Sequence, residues 1–243
     1  MGLFEDLLAE IEAERKNFAI CGFISQSGQI YPLGTDTKVL STVFELVIRP
    51  SVVKIANRYG YNVKEPVAQN HYPDFTLVPK SGEKKYIAID VKTTYRASTN
   101  SKFSFTLGGY TSFIREASPS KNIVFPYMDY AGHWVIGFVY TRVAEKKAAD
   151  ARTFNYDQIG DVILPYKDVD FFIQEKWKIA GTSAGSGNTT NIGSISGRIE
   201  DFREGKGPFK DESEYLAYWR SYGRTKSERS YSNLTEFRSA QEV

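Results

Sequence analysis

Two carboxylates and one ammonium stand out in this sequence: Asp74, and then Asp90 and Lys92 in the run AIDVKTTY. They belong to HYPDFTLVPKSGEKKYIAIDVKTTY, which reads as two strands around a Pro-Lys-Ser-Gly turn. With the turn centred on Gly82, positions 74 and 90 lie eight residues either side and stand opposite one another. Opposed residues of an antiparallel pair share a face of the sheet, and Lys92, two residues beyond Asp90, shares it too. Ile87, Ile89 and Val91 then point to the other side. Two hard oxygen ligands with open positions suit Mg²⁺, which keeps waters and binds phosphate oxygens. Hydrolysing a phosphodiester requires a nucleophilic water and relief of developing negative charge. A metal can supply both, and Lys92 adds a cation beside the attacking water. Asp and Lys two apart in a strand are also common in purely structural settings, so spacing alone leaves both readings open.

Several elements must position these groups. A helix is expected from the N-cap residues Thr35-Asp36 through VLSTVFELVIRP, with Pro50 kinking or ending it. Lys38, Ser41, Thr42, Glu45 and Arg49 form a polar stripe on that helix, either a solvent face or a face turned toward a polar site. Leu3, Phe4, Leu7, Leu8 and Ile11 predict an amphipathic helix over residues 3–16. FAICGFI and GQIYPL predict a short hairpin around Ser25-Gln26-Ser27. NIVFP and HWVIGFVYTRV are apolar enough for buried central strands, VDFFIQEKWKIA reads as a further strand, and residues 213–222 as a helix. Buried strands mixed with helices give an α/β or α+β core without internal repeats.

The bulk numbers exclude more than they identify. Net charge is only +2, too mild to mark a nucleic-acid binder, but Arg220, Arg224, Lys226 and Arg229 cluster, as do Arg142, Lys146, Lys147 and Arg152. No apolar run approaches the roughly 20 residues of a membrane span. The acidic, amphipathic N-terminus resembles neither a signal nor a transit peptide. Cys21 is the single cysteine, which excludes an internal disulfide and a multi-cysteine zinc site and fits a reducing, cytoplasmic setting. His71 and His133 are the only histidines, so both read as structural rather than as a general base or zinc ligands. Residues 181–197 are almost entirely Gly, Ser, Thr, Asn and Ala. They lack a Gly-Lys-Ser/Thr ending, so no nucleotide cofactor is expected. Such a stretch is either a flexible linker or a loop whose backbone approaches base edges.

Pro73-Asp74, fifteen intervening residues, then Asp90-Val91-Lys92 is the PD…(D/E)xK pattern of a large nuclease superfamily, here preceded by a helix carrying the acidic Glu45. In order along the chain, LGTDTKVLST, QNHYPDFTL, AIDVKTTY, FTLGGYTSFIR and AGSGNTTNIGSI resemble the type II restriction endonucleases, from about residue 18 to residue 229. The resemblance implies a restriction-endonuclease-like mixed β-sheet flanked by helices, in one domain spanning 1–243. A small dimerisation subdomain would occupy about 18–35 and 145–165. It further implies a homodimer that recognises GATATC in double-stranded DNA and cuts both strands at the centre, using Mg²⁺ or Mn²⁺.

Glu45, Asp74, Asp90 and Lys92 would form the active site, with Asp74 and Asp90 as direct metal ligands and Glu45 as an accessory carboxylate. Gly185, Ser186, Gly187, Asn188, Thr189 and Thr190 would read bases, joined by Gln69 and Asn70 from the minor-groove side. Asn188 and Thr189 are the strongest of these. Thr94, Ser112, Lys121, Arg142, Arg224 and Arg229 match positions near phosphates, which place DNA without reading it. Ser196-Gly197-Arg198 and the end from Phe237 to Val243 depart from the family pattern and bear on affinity and flanking preference. A repair or structure-specific nuclease of the same superfamily is the first rival, and the long base-reading loop counts against it. A DNA-binding module without catalysis is the second, and carboxylates facing a polyanion count against it.

Overall fold

The computed structural model describes residues 2–68, 70–109, 111–115, 122–143, 152–185, 190–223 and 228–241, without the side chains of 111 and 112. In chain order, the main elements are α1 (Leu3–Ala13), β1 (Gly22–Ile24), β2 (Gln29–Pro32), α2 (Thr37–Arg58), β3 (Tyr61–Lys64), β4 (Phe75–Pro79), β5 (Tyr86–Arg96) and β6 (Thr106–Gly109). Then follow β7 (Tyr130–Arg142), β8 (Phe154–Asn155), β9 (Tyr166–Glu175), β10 (Ala180–Ala184) and β11 (Asn191–Ser194). Two further helices, Glu212–Ser221 and Leu234–Gln241, close the described chain.

The main sheet has the order β3-β4-β5-β7-β9; β5 and β7 run parallel and the other pairs antiparallel. It is therefore the mixed sheet with flanking helices that the sequence led us to expect. Strand alternation divides its side chains between two cores. On one face Phe75, Ile89, Val91, Phe138 and Phe171 pack with Leu7 and Ile11 of α1 and with Phe44, Ile48 and Val52 of α2. On the other, Ala88, Val135 and Phe172 pack with Phe202, Tyr215, Tyr218 and Trp219. The swap from Phe171 to Phe172 across one residue is this period of two made visible. Gly137 is required beside it: a Cβ there would lie 2.2 Å from the Phe172 ring.

Asp36 caps α2, its carboxylate accepting from the backbone N–H groups of Lys38 at 2.8 Å and Val39 at 3.3 Å. Pro50 does not end this helix, which continues to Arg58. Proline removes a backbone hydrogen bond at a cost of about 3 kcal/mol. Both Pro50 and Leu46, whose carbonyl it frees, lie on the exposed side, while Ile48, Val52 and Ile55 keep the opposite side buried. The helix thus carries the defect where water can satisfy it.

Two small sheets flank the large one. In the first, β1-β2-β8, the hairpin around Ser25-Gln26-Ser27 forms as expected and Ile30, Phe154 and Val162 make a separate small core with Cys21 against it. In the second, β10-β11-β6, residues 181–197 form much of an antiparallel hairpin instead of a linker or simple loop. Other expectations need correcting. NIVFP supplies only an isolated bridge from Ile123 to Tyr72 before Pro126, which lacks an N–H for a ladder. VDFFIQEKWKIA leaves the sheet at Glu175, and Lys176–Ile179 make one helical turn. The helix Leu234–Gln241 was not anticipated. Among the described residues no helix is long and apolar enough to cross a membrane.

Candidate active site

The register of β4 and β5 pairs Phe75 with Ile89, Thr76 with Ala88 and Leu77 with Ile87. Continued by one residue it sets Asp74 against Asp90, the arrangement expected from a turn about Gly82. Asp74 Oδ2 accepts a 2.6 Å hydrogen bond from the Val91 backbone N–H, so this carboxylate is clamped to the neighbouring strand just beyond the last ladder pair. Asp90 is buried, and Lys92 Nζ lies 2.7 Å from its Oδ2. Beyond that ion pair, Asp90 Oδ2 has no hydrogen-bond partner among the described residues. Tyr72, two residues before Asp74, is fixed at three points. Its N–H donates to Asn122 O at 2.8 Å, its carbonyl accepts from Val124 N at 2.9 Å, and its hydroxyl meets His133 Nδ1 at 2.7 Å.

Burial of like charges dominates the electrostatics. Asp74 is pushed up to about 7, first by desolvation and then by the Asp90 carboxylate, against the pull of Lys92 and the Val91 N–H. Glu45 is also raised, by burial first, with Lys92 opposing and Asp90 adding to the shift. For Lys92, burial works to lower the pKa, but Asp90, Asp74 and Glu45 together outweigh it and leave the group raised. Lys92 is therefore an ammonium at neutral pH, within a cluster whose carboxylates crowd one another. A divalent cation would relieve that crowding.

The donor set fits such an ion. Two carboxylates on one sheet face leave open positions for waters and phosphate oxygens, as Mg²⁺ prefers. Among the described residues no three His, Cys, Asp or Glu side chains converge closely enough to hold a metal by themselves. Glu45 is accordingly coupled to the pair electrostatically but is not a third member of a preformed cage.

Two grooves meet at Lys92. One, of about 290 Å³, is lined by Asn70, His71, Asp90, Lys92, Gly109 and Thr190 among others. The other, of about 370 Å³, is lined by Lys92, Thr94, Thr106, Ser183 and Gly185. Asp90 and Lys92, the segment Asn70–Tyr72 before Asp74, and the β10 and β11 ends at Gly185 and Thr190 therefore border one region, while Asp74 and Glu45 line neither groove. Two of the expected phosphate-contacting residues stand outside both grooves. Arg142 stacks 3.6 Å from the Tyr95 ring centroid, and Arg229 Nε donates to Gly223 O at 2.9 Å. Gln69, Lys121, Ser186, Gly187, Asn188, Thr189 and Arg224, with the Ser112 side chain, lie outside the described residues. So do 145–151 of the expected dimerisation stretch. A larger recess of about 570 Å³ is lined by Lys210, Asp211, Phe237 and the Glu214–Arg238 ion pair, 2.7 Å long, and includes none of the expected site residues.

The sequence reading missed the layer beneath the site. His133 is buried, stacks 3.8 Å from Tyr127 and is held well below the usual histidine range by burial and then by Lys176. That bears out a structural, neutral role for it. Lys176 itself is fully buried, and burial lowers it to about 8 against the attraction of Asp90. With Glu175 and Lys178 beside it in VDFFIQEKWKIA, Lys176 carried no sequence signal that set it apart.

A mixed sheet between helical layers, carrying a paired-carboxylate and lysine cluster at one end of its β4–β5 pair, defines the class: a restriction-endonuclease-type hydrolase of DNA phosphodiesters. Residues 14–242 match the family described as restriction endonuclease EcoRV. The chain is 54% identical over 240 residues to the type II restriction enzyme EcoRV of Escherichia coli, across 98% of this chain and 97% of that one. It belongs to the EcoRV restriction endonuclease family.

Proposed function

We propose that this protein is a Mg²⁺-dependent type II restriction endonuclease that cuts double-stranded DNA at GATATC, centrally in both strands, as a cytoplasmic homodimer. The observation that carries this reading is the Asp74, Asp90 and Lys92 cluster on one sheet face, with Lys92 lining the groove that reaches Gly185 at the end of β10. Asp74 and Asp90 would hold the cation, with Mn²⁺ as a substitute and Glu45 as accessory carboxylate. When bound, the metal supplies a lowered water pKa and positive charge for the phosphate. Lys92, kept protonated by its carboxylate neighbours, places a second positive charge beside the attacked phosphate. The Val91 N–H holds Asp74 in position, so no side-chain search precedes the reaction.

Base reading falls to Gly185, Ser186, Gly187, Asn188, Thr189 and Thr190 from the hairpin and to Gln69 and Asn70 from the loop before Asp74. Asn70 and Thr190 line the same groove as Asp90, which supports placing reading and cutting on one DNA segment. Thr94, Ser112, Lys121, Arg142, Arg224 and Arg229 are assigned to phosphates. Dimerisation is assigned to the β1-β2-β8 sheet and its surroundings, where Phe23, Ile24, Tyr31 and Tyr156 expose large apolar surfaces. A two-fold dimer would present two sites to a symmetric target.

Digestion of a plasmid with a single GATATC site, with sequencing of the ends, tests this. Blunt linear product that requires Mg²⁺ and disappears with EDTA is expected. Cutting at other sequences, or at branched structures without sequence preference, would replace this reading with a repair-type nuclease.

A further inference from the structure

The layer beneath the active site contains a charge that the proposed chemistry does not use. Lys176 is 1% exposed, and its Nζ has no hydrogen-bond partner among the described residues. It lies 4.7 Å from the Tyr72 ring centroid and 5.9 Å from that of Tyr127. Gly108 also borders it, since a Cβ there would come within 3.9 Å of Nζ. Gly108 and Tyr72 both line the groove that contains Asp90 and Lys92. Sheet register agrees with this placement. Asp90 pairs with Val135 and Val135 with Gln174, so the row runs from Asp90 to the strand end that delivers Lys176, two residues on.

A buried cation without an anionic contact is costly and is not explained by packing, since an apolar side chain would fill the space better. Its immediate neighbours cannot neutralise it. His133 stays uncharged, and burial holds the Tyr72 and Tyr127 phenols protonated. The charges that Lys176 senses are Asp90, which attracts it, and Lys92, which repels it. With all ionised, the three carboxylates of Asp74, Asp90 and Glu45 face two ammonium groups and leave about one excess negative charge. A DNA phosphate adds a second, which a divalent cation then matches. Without Lys176 the free site would already carry both.

We propose that Lys176 is a positioning residue whose buried ammonium, acting through Asp90 from the same side of the sheet, weakens divalent-cation binding until a DNA phosphate enters the site. This rests on the assignment of Asp74 and Asp90 as metal ligands. Met keeps the length and apolar stem of Lys and removes the charge.

The test is Mn²⁺ titration of DNA-free protein, read by the electron paramagnetic resonance of free ion, for wild type, Asp90→Asn and Lys176→Met. Lys176→Met should bind Mn²⁺ on the order of tenfold more tightly than wild type, as loss of a nearby like charge requires. Its thermal midpoint should be equal or higher, because an unpaired buried charge has gone. A merely structural lysine would give weaker or unchanged Mn²⁺ binding, and either result in folded Lys176→Met overturns the proposal. Should Lys176→Met fail to fold, Lys176→Gln is read by the same criteria. If Asp90→Asn binds Mn²⁺ as wild type does, the ligand assignment itself fails, and the role of Lys176 falls with it.

Discussion

Strand β5 of the β4–β5 pair and the β10–β11 hairpin border the same grooves but are built on opposite principles. β5 is flanked by strands on both sides and packs against apolar side chains on one face, so Asp90 and Lys92 have little freedom. The hairpin belongs to a three-stranded sheet with register shifts in both of its pairings, and its chain is made of small polar residues. Gly193 shows why small residues are needed: a Cβ there would lie 2.8 Å from Ser183 O. Chemistry requires charges held in place, whereas base reading requires backbone and short side chains that can come close to base edges. The two functions should therefore separate under mutation.

The largest effect is expected at the strand pair. Asp90→Ala should abolish cleavage and leave both the fold and cognate preference in place, since it removes a charge and little packing. Plasmid cutting at a rate near wild type would remove the active-site assignment. Asn188→Ala should leave the chemical step largely alone and cost roughly 1–3 kcal/mol of discrimination at one base pair. Arg142→Ala should instead weaken binding to all sequences alike and lower the salt slope by about one unit. Equal losses of both mutants on cognate and random DNA would mean that the hairpin reads nothing.

A smaller effect sharpens the electrostatic side of the comparison. Asp74 has a folded pKa near 7, above its unfolded value, so the native state binds more protons between about pH 4 and 7. Its ionisation thus subtracts stability as pH rises through that window, and the deficit stays constant above it. In metal-free buffer, Asp74→Asn should raise the thermal midpoint at pH 8 and change it much less at pH 3, where the carboxyl is mostly protonated in both states. A larger gain at pH 3 would contradict the crowded-carboxylate picture.

The placement of the two carboxylates was legible in the sequence because a strand turn has a fixed symmetry: Gly82 and the alternation of Ile87, Ile89 and Val91 are enough to set Asp74 against Asp90. The hairpin was less legible because Gly, Ser, Thr and Asn carry no apolar period, and its second strand, β11, is fixed by pairing with the distant β6. Of the two outcomes open at Pro50, a kink or an end, the end does not occur, because buried Ile48, Val52 and Ile55 hold the helix together against local propensity. Lys176 was illegible as a buried charge because burial is a tertiary property, set by Tyr72 and Gly108 far away in the chain.

Single-turnover cleavage by Lys92→Ala, with enzyme in saturating excess over a one-site duplex, tests the central separation most directly. Lys92 borders both grooves, so it could act on bound phosphate in the ground state or on charge that develops during reaction. If it stabilises the developing charge, its loss costs about 2.7–4 kcal/mol, a 10²–10³-fold slower step, with cognate preference kept. A bound-complex rate within about threefold of wild type, with affinity lost instead, would make Lys92 a phosphate clamp and contradict the assignment of chemistry to this strand pair.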